Sequence, residues 1–383
     1  MKFDLSRVIP VKVKYWLSII WCLASIFLLL CGLLTVIMLS DVNMIIWNMR
    51  AIENGKTALV GSAILCIIPG WKSLRQRRYL ILIPFIALLL FSMPVILAAV
   101  KISMLDEQFA KAFSTPVPGK HFSITDWIDP PAERDFEQVV FSETPDESLR
   151  LNLFRSAKDS RLSPLVILIH GGGFYSGNRN WMNALCGSIA SKGLVTASID
   201  YRLAPATVFP GQVMDTYTSL RFLKTHALEF GIDTNRIYIA GSSAGGTIAL
   251  SSAALSKTKI SGVINLYGIT DLHLNNPGCS EGIADLAAMR DGYLGENYSG
   301  TFSSPMEQNY HGIPVLTIHG AKDNIVPVEH ARIFHEKLTE AGNKHLLIEL
   351  PWATHNFEYP VTGPSGQLVT AAIISFVQAT ASN

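Results

Sequence analysis

Between Arg236 and Leu250 the chain reads RIYIAGSSAGGTIAL. Ile237 to Ala240 predict a short buried strand and Thr247 to Leu250 the start of an apolar helix, so Gly241-Ser242-Ser243-Ala244-Gly245 has to make the turn. A strand that bends this sharply into a helix strains its corner residue and demands small neighbours. Ser243 is that corner, with Gly241 and Gly245 as the small flanks. The helix that follows aims free N–H groups and its positive dipole end at any negative charge that develops beside Ser243. The pattern predicts a hydroxyl presented for acyl transfer. A glycine-rich turn without chemistry fits the same five letters, so the choice rests on the remaining residues.

Those residues divide unevenly. Of the 383, 49% are hydrophobic and 16% charged, where soluble domains carry roughly 25% charge. The apolar excess lies almost wholly in the first hundred residues. Tyr15 to Ser40 holds 26 residues without a charge, long enough to span a bilayer core with some tilt. No small residues stand where a signal peptide would be cut before Cys31, so the segment is read as retained. Tyr79 to Val100 is a second span of 22 uncharged residues. Thr57 to Trp71 has only 15 and crosses only if the helix begins earlier, with Glu53 and Lys56 at the headgroups. Lys2, Arg7, Lys12 and Lys14 precede the first span, and Lys72, Arg75, Arg77 and Arg78 precede the last, whereas the loop from Asp41 to Lys56 holds only Arg50 and Lys56 as basic residues. Because basic loops stay cytoplasmic, three crossings place both rich clusters inside and export everything after about Lys101, whereas two would leave the domain on the side of the N-terminus. The expected organisation is a membrane segment over 1–101 with two or three crossings, an irregular, proline-bearing stretch over 102–135 that is a tether or is draped over the domain, and a catalytic domain over 136–383. The net charge of +1, with no long basic run in the catalytic part, argues against a nucleic-acid surface.

Beyond the tether, apolar runs alternate with helical stretches. Leu165–Ile169, Val195–Ile199, Ile237–Ala240, Gly262–Leu266, Pro314–Ile318 and Leu346–Leu350 predict strands. Asn183–Lys192, Val213–Phe230, Ala244–Leu255 and Glu329–Ala341 predict helices, and Gln138–Phe141 with Leu149–Phe154 an antiparallel hairpin. Such alternation builds an α/β fold, a mostly parallel sheet with helices on both faces. Cys186 and Cys279 are the only cysteines outside the apolar segments, and no disulfide is expected of them.

His170-Gly171-Gly172-Gly173-Phe174 follows the first of the parallel strands, about 70 residues before Ser243. Consecutive glycines let backbone N–H groups approach a substrate oxygen, which acyl transfer needs where the oxyanion forms. Gly172, Gly173 and Ala244 are the expected donors, with His170 and Gly171 shaping the loop. The base should follow the last strand, where His355 stands in PWATHNF, and the acid the strand before it, where Asp323 stands in HGAKDNIVP. The order Ser243, Asp323, His355 gives the nucleophile, the residue that orients the imidazole, and the proton carrier. Asp271, after GVINLYG, is a reserve for the acid. No metal-ligand spacing occurs, since His330 and His335 are five apart.

HGGGF, DYRLAP, GSSAGG, HGAKDNIVP and THNF, in that order, resemble the esterase and lipase group of the α/β-hydrolase superfamily, around hormone-sensitive lipase and the bacterial carboxylesterases. The resemblance runs from about Glu137 to the C-terminus. It implies a serine hydrolase that cleaves carboxylic esters through an acyl-enzyme without a cofactor, acting on a small-molecule or lipid ester at a membrane. Two departures bear on substrate class: Ser242 stands where the group usually has aspartate, and H-G-x-x-D-x-x-V-P is closer to carbohydrate-ester and prenylcysteine-methylesterase relatives. Asp200 and Arg202 of DYRLAP are read as scaffold contacts, and Phe174, Tyr175, Trp181, Tyr201 and Trp352 as aromatics near the site. Leu272 to Tyr310 is long enough for a partial lid, and Asn297-Tyr298-Ser299 fits a glycosylation acceptor. A peptidase on the same scaffold and a non-catalytic interaction protein of this fold are the alternatives.

Overall fold

A computed structural model describes residues 11–33, 55–67, 78–145, 147–157, 162–280, 285–295 and 303–381. Residues 1–10, 34–54 and 68–77 and the Asn297-Tyr298-Ser299 triplet lie outside the described residues. Residues 1–99 and 100–383 form two separate compact units.

In the first unit α1 (Val11–Leu33) and α2 (Lys56–Ile67) pack on each other, and the Trp21 indole donates to Leu65 O at 3.2 Å. A third helix, α3 (Leu82–Ser103), begins in this unit and carries Pro94 in its interior. Tyr15–Leu33 and Leu82–Ser103 are long and apolar enough to cross a membrane, with mean hydropathies of 2.3 and 2.6. The helical part of the doubtful middle segment has 12 residues, a rise of about 18 Å.

The second unit is built on eight strands: β1 (Glu137–Glu143), β2 (Ser148–Phe154), β3 (Ser163–Ile169), β4 (Val195–Ile199), β5 (Ile232–Ser242), β6 (Gly262–Leu266), β7 (Val315–Gly320) and β8 (His345–Leu350). They lie in the order β1-β2-β4-β3-β5-β6-β7-β8. The β1–β2 and β2–β4 pairings are antiparallel and every later one is parallel. β4, β6 and β7 are buried at every position, as strands covered on both faces must be. Alternation along β5 shows the two layers: Ile237 and Ile239 join the cluster of Leu220, Leu223, Ile248 and Leu250, while Tyr238 turns to Phe376, 5.9 Å between ring centroids. The fold is therefore the predicted mostly parallel sheet with helices on both faces.

Two stretches differ from expectation. Within 102–135, read as irregular, either a tether or residues draped over the domain, α4 (Leu105–Phe113) is helical. Leu105, Phe109 and Phe113 recur every four residues and are buried, and Phe113 meets Phe376 edge-on at 5.3 Å. A short turn of helix, α5 (Ile124–Ile128), follows, and Pro116, Pro118, Pro130 and Pro131 fall outside both. Val213–Phe230 is not one helix. After α6 (Asn183–Ser191), α7 (Gly211–Thr225) stops at His226 and α8 (Ala227–Phe230) ends on left-handed Gly231, which releases the chain into β5 five residues earlier than the apolar run suggested. The remaining helices are α9 (Ala244–Ala254), α10 (Leu286–Leu294), α11 (Glu329–Glu340) and α12 (Pro364–Thr380). Cys186 and Cys279 are free thiols.

Candidate active site

The carboxyl ends of β3, β5, β7 and β8 deliver the expected residues to one place, the edge at which open parallel sheets offer their loops. Ser243, between β5 and α9, has φ 52° and ψ −123°, a conformation that side chains with a Cβ avoid. It persists because the turn admits nothing larger around it: a Cβ on Gly241 would lie 2.1 Å from Gly245 O, and one on Gly245 2.2 Å from Ile169 O. The Ser243 N–H donates to Leu266 O at 2.8 Å, which pins the corner to β6.

His355 comes from the turn after β8. Its Nε2 lies 3.0 Å from Ser243 Oγ and its Nδ1 2.7 Å from Asp323 Oδ2. A carboxylate oxygen only accepts, so Nδ1 carries the proton and Nε2 presents its lone pair to the hydroxyl. Asp323 Oδ1 accepts the N–H groups of Ile325 at 3.0 Å and Val326 at 2.9 Å, which fix the carboxylate from behind. Burial alone would raise this carboxyl. The charge that His355 can carry, with hydrogen bonds from His319 and His355, overturns that and holds it well below the usual carboxylate range. Asp323 thus stays an anion inside the protein, while Ser243, 9% exposed, is the most exposed of the three.

The glycine loop after β3 faces this row. Gly172 has φ 115° and approaches Ser176 so closely that a Cβ would lie 2.0 Å from the Ser176 carbonyl oxygen. Among the described residues the N–H groups of Gly172 and Gly173 reach no backbone acceptor, and that of Ala244, first in α9, has no intrahelical partner. His170 is buried, its Nδ1 donates to Gly171 O at 2.7 Å, and its ring stacks on Tyr201 at 4.4 Å. Burial pushes its pKa down to about 4, against a smaller lift from Gly171 and Asp200, so it shapes the loop as a neutral ring. Asp200 holds Arg179 through the Arg179 backbone and guanidinium at 2.9 and 2.7 Å, and Arg202 pairs with Asp215 at 2.7 Å; both are scaffold contacts, as expected.

The long connection after β6 reaches the same loop. From α10, Met289 Cε would meet a Cβ on Gly173 at 3.3 Å, Ala288 O accepts the Tyr175 hydroxyl at 2.5 Å, and Tyr293 stacks on Phe174 at 4.1 Å. Of the five aromatics noted in the sequence, Phe174, Tyr201 and Trp352 are buried in the scaffold, and only Tyr175 and Trp181 are exposed. The reserve acid does not approach His355. Asp271 is spent on the His273 N–H at 3.1 Å, the Asn276 N–H at 3.0 Å and the Asn276 amide at 2.7 Å.

Three further residues stand at the site. His319 Nε2 lies 3.5 Å from Asp323 Oδ2 and 2.9 Å from Val326 O. Tyr267 packs its ring 4.6 Å from that of His355 and donates its hydroxyl to Glu358. His319 opens the H-G-x-x-D-x-x-V-P run, which was read for Asp323 alone; a tyrosine after a strand and a glutamate in a turn have no spacing that would single them out.

Residues 151–338 match the protein-family model BD-FAE. Esterase LipC of Mycobacterium tuberculosis is 27% identical over 254 residues, covering 61% of this chain and 63% of its own. Isoprenylcysteine alpha-carbonyl methylesterase ICME of Arabidopsis thaliana is 26% identical over 256 residues, 60% of this chain and 59% of its own. The chain thus spans about 60% of the length of these curated relatives. Among solved structures, an esterase of Pyrobaculum calidifontis superposes with a TM-score of 0.57 at 21% identity, covering 75% of this chain and 93% of its own. A bacterial heroin esterase gives 0.58 at 22% identity, covering 73% and 99%. With the sheet order, the strand-to-helix turn at Ser243 and the glycine loop, these likenesses give the chain the α/β-hydrolase fold and make it similar to the esterase and lipase group of hormone-sensitive lipase and the bacterial carboxylesterases.

Proposed function

We propose that this protein is a membrane-anchored serine hydrolase that cleaves carboxylic esters. The observation that carries the reading is the unbroken row from Ser243 Oγ through His355 to Asp323, with bonds of 3.0 and 2.7 Å. Ser243 Oγ attacks the ester carbonyl as His355 Nε2 takes its proton, and the resulting imidazolium rests against the Asp323 carboxylate. The carbonyl oxygen gains a negative charge opposite the N–H groups of Gly172, Gly173 and Ala244, which are fixed by the backbone and need no reorganisation. His355 then returns the proton to the departing alcohol, leaving an acyl group on Ser243. Water, deprotonated by the same imidazole, releases the acid and restores the hydroxyl. The sequence relatives support esters over other acyl compounds.

The test is labelling by a fluorophosphonate probe, which reacts with an activated serine. Wild type should be labelled and Ser243→Ala should not, with ester turnover lost in parallel; labelling that persists in the variant refutes the assignment. Side-by-side assay of matched ester and amide substrates separates the esterase from a peptidase.

The anchor is supported by the first unit's own surface. Trp16, Leu23, Phe27 and Leu89 are more than half exposed on helices that are apolar around most of their circumference, an arrangement that costs free energy in water and none in lipid. The protein should therefore stay in the membrane pellet through a high-salt wash and be released by detergent. With three crossings, the catalytic unit would lie on the extracytoplasmic side and be open to protease added to intact cells.

A further inference from the structure

Two hydrogen bonds hold His355, one at each end of the Nδ1–Nε2 line. Such a pair fixes an axis but leaves the plane of the imidazole free to tilt about it, so a third contact away from that line is needed. Tyr267 supplies one. Its ring centroid lies 4.6 Å from that of His355 with the planes at 61°. Tyr267 follows β6 at φ +44°, a backbone conformation unusual for a bulky residue and kept where the surroundings demand it. Its N–H donates to Ile318 O at 3.0 Å, Phe357 packs on its ring at 4.9 Å, and its hydroxyl donates to Glu358 Oε1. Glu358 belongs to the same turn as His355, is 9% exposed, and its Oε2 has no partner among the described residues. A buried carboxyl with an open oxygen beside a catalytic row is expensive to keep and has no part in the steps above.

We propose that Tyr267 and Glu358 are positioning residues for ester cleavage: the Tyr267 ring backs His355 and steadies its imidazolium, and Glu358 locks that ring through the phenolic hydroxyl. This rests on the esterase reading. An imidazolium that turns its edge toward the face of an aromatic ring, within about 6 Å of the centroid, is attracted to it, more strongly where water is excluded. The titratable groups gathered round His355 are Asp323 and His319 at the end of β7, Tyr267 after β6 and Glu358 on its own turn. Burial raises the Glu358 carboxyl, opposed by Tyr267 and the charge of His355, and Asp323 adds to the rise.

The experiment measures kcat, KM and the pH profile of kcat/KM on a soluble p-nitrophenyl ester with the full chain in detergent. A wild type without turnover, or one matched by Ser243→Ala, refutes the esterase reading and is seen before any other variant is compared. Given turnover, Tyr267→Leu should lower kcat about tenfold with KM within about twofold, and should shift the acid limb of the profile down by about one pH unit, because the imidazolium has lost its partner. Glu358→Leu should lower kcat about fivefold, and Glu358→Gln, whose amide oxygen still accepts from Tyr267, should restore it to within about twofold of wild type. Tyr267→Phe differs by one oxygen atom and keeps the test open should a leucine variant fail to fold: it should lose about threefold in kcat with the acid limb in place. An unmoved kcat and acid limb in Tyr267→Leu, a Gln variant as poor as Leu, or a Tyr267→Phe identical to wild type would each overturn the proposal.

Discussion

Two buried aspartate and histidine groups sit on neighbouring strand ends, and only one is wired for chemistry. After β7, Asp323 accepts from His355 at 2.7 Å and the far nitrogen of that ring meets Ser243 at 3.0 Å. After β6, His330 Nδ1 accepts the Asp271 backbone N–H at 3.2 Å, its Nε2 donates to Cys279 O at 3.0 Å, and the Asp271 carboxylate is taken up by Asn276. The residue types are the same. In the first, the carboxylate holds the ring and the ring holds a hydroxyl, so a proton has somewhere to go. In the second, every bond ends on backbone or amide, and the cluster does no more than tie α11 to the loop after β6. Burial pushes His330 down to about 4, with His319 adding to the fall and Cys279, Asp271 and Asp323 opposing it, as suits a ring that is structural and uncharged.

This contrast is most exposed to failure at its centre. Ser243→Ala should reduce kcat/KM for an ester by a factor on the order of a thousand or more, read by spectrophotometric assay. Asp323→Asn should cost about a thousandfold, because the amide favours the wrong tautomer of His355, whereas Asp271→Asn should leave kcat/KM within about threefold. Equal losses in the two would erase the distinction drawn here. The same Asp271→Asn should lower unfolding free energy by about 1–3 kcal/mol, seen in the urea midpoint, since two N–H groups and an amide lose a charged acceptor.

The smallest effect concerns pH. His170 and His330 are held near a pKa of about 4, below the 6.5 of a free imidazole. The unfolded chain therefore takes up protons between pH 6.5 and 4 that the folded chain refuses, and stability present above 6.5 is lost as the pH falls through that window. Each ring accounts for at most about 3 kcal/mol, and for less where the structure relaxes. His330→Gln should flatten the pH dependence of the urea midpoint by part of its span; an unchanged slope would mean that His330 takes up its proton without unfolding.

The elbow, the glycine loop and the Ser243, Asp323, His355 order were legible because each sits at a fixed offset from a strand, and strands show as apolar runs. The same rule put Asp323 ahead of Asp271 although both leave strand ends; in the structure the direction of each carboxylate separates them. Tyr267 and Glu358 were silent for a related reason. Their roles depend on two loops, 91 residues apart in the chain, meeting across one imidazole, and on a positive φ at Tyr267 that no residue type announces. In α4 the spacing of Leu105, Phe109 and Phe113 was readable, but the prolines that follow it from Pro116 onward outweighed it. The break at His226 left no trace, because Phe222, His226 and Phe230 continue a helical stripe across it.

The turn that carries Ser243 is closed on both sides by main-chain atoms, so no side chain can be added at 241 or 245 without moving the strand beneath. Any adaptation of this site to a new ligand has to enter from the periphery, through residues such as Met289 on the segment that overlies the glycine loop. The pivot is frozen and the walls are negotiable, and that division sets where natural drift or a laboratory library has room to search.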